Sequence, residues 1–119
     1  METGHTRRLA SYVDSLRFQD LPDVVVERTK WLILDILGCS LRGLAVETPD
    51  ISFNILKEIG GKEEATVIGG KTKLPALHAA AINATSAWAL HNDDTYLDGM
   101  NHPGHGVVAG GLAVSEKEH

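Results

Sequence analysis

The stretch Pro75-Ala76-Leu77-His78-Ala79-Ala80-Ala81-Ile82-Asn83-Ala84-Thr85-Ser86-Ala87-Trp88-Ala89-Leu90 decides how the rest of the chain is read. Proline is tolerated in the first turn of a helix, where its missing N–H has no partner to lose, and alanine is the best helix former. The alanines at 76, 79, 80, 81, 84, 87 and 89 are spread around most of the helix circumference. A helix that is apolar on all sides expects to be buried on all sides, so this segment predicts a helical core.

Working outward, the other prolines punctuate the chain in the same way. Pro22 precedes Asp23-Val24-Val25-Val26-Glu27-Arg28, Pro49 follows Thr48 as an N-cap, and Pro103 stands in His102-Pro103-Gly104 before another apolar segment. Five helices are predicted, at about Thr6 to Arg17, Pro22 to Ala45, Pro49 to Ile59, Pro75 to His91 and Gly104 to Glu118. In the first, Leu9, Tyr12, Val13 and Leu16 recur at three- and four-residue spacing and make one apolar stripe. In the second, Val26, Ile33, Leu37 and Leu44 keep that period while Arg28, Asp35 and Arg42 hold a polar stripe.

Between the third and fourth helices, Ala65-Thr66-Val67-Ile68, Gly69-Gly70-Lys71 and Thr72-Lys73-Leu74 predict a short β-hairpin near residues 65–74. The fold class expected is therefore all-α, with about five helices and one short β-hairpin. In the last helix Gly106, Gly110 and Gly111 lie among Val107, Val108, Ala109, Leu112 and Ala113, small residues that permit close helix approach. Five short helices cannot easily enclose two such segments. The expectation is a context larger than 119 residues, through a partner chain or further helices, and the helical pattern through Glu116-Lys117-Glu118-His119 carries no capping glycine.

Composition excludes several classes. Cys39 has no partner for a disulfide, and a net charge of −5 with no basic run longer than Arg7-Arg8 argues against nucleic acid and anionic membrane surfaces. The Met1–Arg8 stretch is polar and carries no targeting pattern, so a cytoplasmic location is expected. The most apolar stretch, Trp31 to Val46, is interrupted by Asp35 and Arg42 and reads as a core helix. Trp31 and Trp88 are expected as core residues, Cys39 as a buried small thiol, and His78 as a core or interface histidine.

Ionisable groups gather where the alanine-rich helix ends. Four of the six histidines fall between residues 78 and 105, and Asp93, Asp94 and Asp98 share that window. Polar loop residues mounted on a rigid scaffold are a common place for catalysis. Asp93 or Asp94 can serve as a general base or orient a histidine, and His91 or His102 can exchange a proton near neutral pH. The N–H groups of Gly104, His105 and Gly106, at the start of the last helix, are expected to face the loop and to suit a carboxylate or phosphate. Two plainer readings stand beside this one: Asp-Asp-Thr as a helix cap, and Asn101-His102-Pro103-Gly104 as an ordinary turn. The nitrogen and oxygen groups of His91, Asp93, Asp94 and His102 match no metal-binding spacing, and no metal is expected.

With these residues in hand, the chain resembles the N-terminal part of the MmgE/PrpD family, which includes 2-methylcitrate dehydratase and cis-aconitate decarboxylase. The resemblance rests on Thr6-Arg7-Arg8-Leu9-Ala10, Leu21 to Arg28, Leu34-Asp35-Ile36-Leu37-Gly38-Cys39, Glu64 to Gly69, and Asp93-Asp94-Thr95 followed by His102-Pro103-Gly104. It implies a large all-helical domain to which residues 1–119 contribute the first helices, with the remainder of that domain and a separate lid domain elsewhere. It also implies a lyase that removes water or carbon dioxide from small polycarboxylates, or an epimerase, with no organic cofactor or iron-sulfur cluster, generally as a homodimer. Asp93, Asp94, Thr95 and His102 are the catalytic positions carried over, with His91, Gly104 and His105 on the substrate side. Many members carry an Asp where this chain has His91, and further catalytic histidine and lysines lie beyond the stretch matched here. The segment alone is expected to be inactive; the alternative from another class is a helical module that serves only in assembly.

Overall fold

The computed structural model describes residues 4–70 and 72–119. The chain divides into two compact units, Met1–Lys30 and Trp31–His119. Among the described residues no helix is long and apolar enough to cross a membrane.

The first unit holds α1 (His5–Ser15), a 3₁₀ turn over Phe18–Asp20, and the opening of α2 (Asp23–Gly43), which runs on into the second. α1 forms its apolar stripe, but Leu9, Tyr12 and Val13 on it are all exposed. It stops two residues before the expected Arg17. The Arg17 guanidinium donates to the carbonyls of Asp14 (2.7 Å) and Leu16 (2.9 Å), and the Arg17 N–H donates to Asp20 (2.9 Å). These local bonds satisfy the helix end in an extended conformation.

The second unit contains the rest of α2, then α3 (Glu47–Ile59), β1 (Ala65–Thr66), β2 (Lys73–Leu74), α4 (Ala76–Trp88) and α5 (Pro103–Glu118). The five helices and the hairpin stand where the sequence predicts them, with no helix end shifted by more than three residues. α3 begins at Glu47, so its N-cap is Val46 rather than Thr48. Pro49 then falls third in the first turn, where the backbone N–H has no helical partner in any case. β1 and β2 are antiparallel, with Ala65 opposite Leu74 and Thr66 opposite Lys73. Gly69 takes a positive φ of 82° in the turn; Lys71, the third residue of the expected turn, lies outside the described residues.

Two apolar clusters organise this unit. The first joins Ala65, Val67, Leu74, Ala76, Ala79, Ile82 and Ala113, with Phe53 and Leu56 against it. The second joins Ile36, Ala87 and Val108, with Leu32, Ile33, Cys39 and Leu112 against it. α4 packs on α5 more extensively than any other pair of elements. Gly43 lets α2 run against α4, because a Cβ there would overlap the Ser86 carbonyl oxygen. Polar side chains tie the hairpin to these helices. Buried Asn83 accepts the Ile68 N–H (2.9 Å) and donates to the Thr66 carbonyl (3.0 Å), while Glu64 accepts the Ala76 N–H (3.1 Å) at the start of α4.

Burial departs from the sequence expectation in one respect. Trp31 and Trp88 are exposed, and Leu77 on α4 and Val107 and Val114 on α5 are exposed as well. Composition shows that a helix is apolar on every side, but neighbours decide which side is covered. Among the described residues the cover lies on the faces of α4 and α5 that meet each other and the hairpin.

Candidate functional site

The site grows from the end of α4. Two residues past the Ala89 C-cap, His91 takes the left-handed region (φ 51°), a conformation that histidine tolerates better than most residues, and its N–H donates to the Trp88 carbonyl (2.9 Å). Its ring packs edge-on against the Trp88 indole, with centroids 4.4 Å apart. The chain then runs through Asp93, Asp94 and Thr95 into a narrow turn where Tyr96 and Asn101 exchange backbone hydrogen bonds of 2.9 and 3.3 Å. Leu97 and Met100 stand at the exposed tip. The turn returns the chain so that His102 is the N-cap of α5 and His105 lies in its first turn. Residues three apart at a helix start share one side, so the two imidazoles are neighbours.

Asp93 is the centre of the cluster. Its side chain has no exposed surface, and its two oxygens face different imidazoles: Oδ2 lies 2.7 Å from His105 Nδ1 and Oδ1 lies 3.3 Å from His102 Nδ1. The first contact is a hydrogen bond. The second is close enough for attraction, yet neither of its atoms is aligned in a hydrogen bond with any described residue. An ionised carboxylate removed from water needs compensating donors, and imidazole N–H groups supply them.

Asp94 has a different task. Its Oδ1 accepts the Gly104 N–H at 2.9 Å, placing an anion on the positive end of α5. A Cβ at residue 104 would overlap that oxygen and come within 2.9 Å of Ile36 Cδ1, so glycine is what lets the loop close on the helix. This corrects one expectation: the Gly104 N–H is already taken, and the residue serves close packing and a cap instead of standing free for an anion. Thr95, His91 and Asp98 are exposed around the cluster, while His102 and His105 are partly exposed.

An open cleft of about 500 Å³ lies beside this loop, bordered by Asp35, Cys39 and Arg42 of α2 and by Leu90 and Asn92. Its field is acidic: burial first, then the charges of Asp35, Asp93 and Asp94, push the Cys39 thiol up, so it is a protonated thiol near neutral pH. Arg42 provides a cation at the cleft. No group of three or more His, Cys, Asp or Glu side chains among the described residues is arranged to hold a metal ion.

The structure thus brings together Asp93, His102 and His105, joins Asp94 to Gly104, and leaves His91 and Thr95 at the periphery. The Asp93–His105 pairing spans twelve residues and has no sequence signature of its own, although two histidines at i, i+3 opposite an Asp-Asp pair were a usable signal.

Comparison with known proteins bears on this arrangement. The family model described as the MmgE/PrpD N-terminal domain matches residues 7–119. The chain is 30% identical to cis-aconitate decarboxylase of Homo sapiens over 112 residues, which is 93% of this chain and 23% of that protein. It is 28% identical to cis-aconitate decarboxylase of Aspergillus terreus over 115 residues (97% and 24%) and 29% identical to that of Mus musculus over 112 residues (93% and 23%). The chain therefore spans about a quarter of the length of the curated relatives it matches. No solved structure matches it closely enough to carry an argument.

Proposed function

The chain belongs to the MmgE/PrpD family, and on that footing we propose that it forms one wall of the active site of a lyase that removes water or carbon dioxide from a small polycarboxylate. The observation that carries this reading is the Asp93 carboxylate, fully buried and facing two partly exposed imidazoles. A buried carboxylate facing titratable side chains beside a cleft is the kind of arrangement that marks a candidate site of proton transfer.

The geometry supports a proton-transfer reading. A C–H bond next to a substrate carboxylate is acidic enough for a positioned base, and a departing hydroxide needs an acid. With Nδ1 turned to Asp93, His102 presents Nε2 on the opposite edge of its ring, the edge from which a proton can be exchanged with substrate. Asp94 acts through the backbone by fixing the start of α5. Thr95, exposed next to Asp94, is kept as a catalytic position, and exposed His91 is assigned to the substrate side.

Electrostatics indicates what else is needed. Asp35, Asp93 and Asp94 all act on the same neighbourhood, against Arg42 at the cleft. A substrate with two or three carboxylates is repelled by such a field unless further cations oppose it. We assign those cations, lysines by the family resemblance, to parts of the protein outside this quarter of the family's length. Residues 1–119 then supply the proton-transfer wall of a larger helical domain, and activity belongs to the assembled protein, a homodimer in this reading. The proton chemistry proposed requires no cofactor.

The test is an assay of the intact protein with cis-aconitate and 2-methylcitrate, following carbon dioxide release and alkene absorbance. Turnover of either supports the assignment. Inversion of a stereocentre without loss of water or carbon dioxide moves it to an epimerase, and no turnover of any small polycarboxylate contradicts it.

A further inference from the structure

Asp93 meets two imidazoles, and the second is not explained by a mechanism that uses His102 alone. An ionised carboxylate only accepts hydrogen bonds, so the 2.7 Å contact to Oδ2 requires the hydrogen of His105 to sit on Nδ1. The separation lies at the short end for such bonds, as expected when the acceptor is charged. His102 Nδ1 faces the other oxygen of the same carboxylate, at 3.3 Å. That oxygen and that nitrogen take part in no hydrogen bond with any described residue, yet they face each other, and the Asp93 side chain is wholly buried away from solvent.

An imidazole held by Nδ1 carries Nε2 on its far edge. His102 and His105 keep 32% and 27% of their side-chain surface exposed, whereas the carboxylate between them keeps none. Both rings therefore turn Nδ1 to a shared buried anion, His105 through a hydrogen bond and His102 by proximity alone, and carry the other nitrogen on the side away from it. Because His102 is the N-cap of α5 and His105, three residues on, lies in its first turn, both rings rise from one side of the helix start.

We propose that His105 is a second proton-transfer residue of the site, paired with His102, and that Asp93 is the positioning residue of both, since it has no exposed atom to offer a substrate. The proposal rests on the lyase reading and deepens it. The proposed step uses one ring as imidazole and the other as imidazolium. In an elimination the imidazole takes the proton from the carbon next to a substrate carboxylate through Nε2. The electron pair of that C–H bond becomes the new double bond, the C–O bond breaks towards oxygen, and the imidazolium gives its Nε2 proton to the departing hydroxyl. Water leaves, and the pair of rings holds as many protons as before with their roles exchanged.

Two measurements test this. Long-range ¹H–¹⁵N spectra of the intact protein, recorded where the rings are neutral, should show both His102 and His105 with hydrogen on Nδ1, the minor form of free histidine. Hydrogen on Nε2 of His105 would overturn the proposal. That spectrum needs neither substrate nor variant, so it fails or succeeds apart from the lyase assignment. The second measurement is His105→Asn, whose amide N–H keeps a donor where Nδ1 stood but has nothing in place of Nε2. A kcat lowered about 100-fold with KM nearly unchanged is expected, the usual scale for losing a general acid or base. A wild-type kcat in this variant would overturn the proton-transfer role and leave His105 as a structural partner of Asp93.

Discussion

Gly104 and Asp94 are fitted to each other: the Gly104 N–H donates to Asp94 Oδ1 at 2.9 Å, and a Cβ at residue 104 would overlap that same oxygen. The contact joins the acidic loop to α5, so replacing either residue should loosen the site as well as the helix. Gly104→Ala is expected to cost about 2–3 kcal/mol, combining the lost cap with overpacking against Ile36. Asp94→Ala, which only removes the cap, is expected to cost about 1 kcal/mol. Urea denaturation checks both, and equal costs would show that the close approach at Gly104 does not matter.

Asn83 holds the hairpin by both ends of its amide, at 2.9 Å to the Ile68 N–H and 3.0 Å to the Thr66 carbonyl. Asn83→Ala leaves these backbone groups without their partner beneath the hairpin. The expected loss is about 2–3 kcal/mol, the scale for breaking a buried hydrogen-bonded pair of groups. Amide exchange at Ile68 should quicken along with it; unchanged protection there would remove Asn83 from this role.

Glu116 at the end of α5 takes the Thr66 hydroxyl at 2.7 Å, the Thr66 N–H at 3.2 Å and the Lys73 ammonium at 3.2 Å. The Thr66 hydroxyl bond first, with the Thr66 N–H and Lys73 assisting, holds its carboxyl below the ordinary value of about 4.5. A carboxyl lowered in the folded state stabilises the fold above its unfolded value and loses that contribution as pH falls through the folded value. Glu116→Gln should therefore be less stable than the parent near neutral pH, and the gap should close in more strongly acidic solution. Because the group is exposed, the effect is expected to be small and to shrink in high salt. A gap that widens on acidification would contradict the arrangement.

Much of this architecture was legible in the sequence, because proline placement and alanine content act locally. Pro22, Pro49, Pro75 and Pro103 each fall in or beside a helix start, and the Gly69-Gly70 turn marked the hairpin. The loop holding Asp93, Asp94 and His102 was also legible as a concentration of titratable groups. What the sequence did not carry were relations fixed by tertiary packing. The choice of His105 as the hydrogen-bond partner of Asp93 depends on the Tyr96–Asn101 bridge that folds the loop back. The capture of the Gly104 N–H by Asp94 depends on how near α5 approaches Ile36. The exposure of Trp31 and Trp88 is likewise a matter of which neighbours are present, which side-chain hydrophobicity does not encode.

The central claim is that the histidine cluster on Asp93 transfers protons in a polycarboxylate lyase, and His102→Ala tests it most directly. In the intact protein, with helical content and denaturation midpoint checked against the parent, kcat on the polycarboxylate substrate is expected to fall by about 100-fold or more. Unchanged turnover in a correctly folded His102→Ala protein would contradict the account.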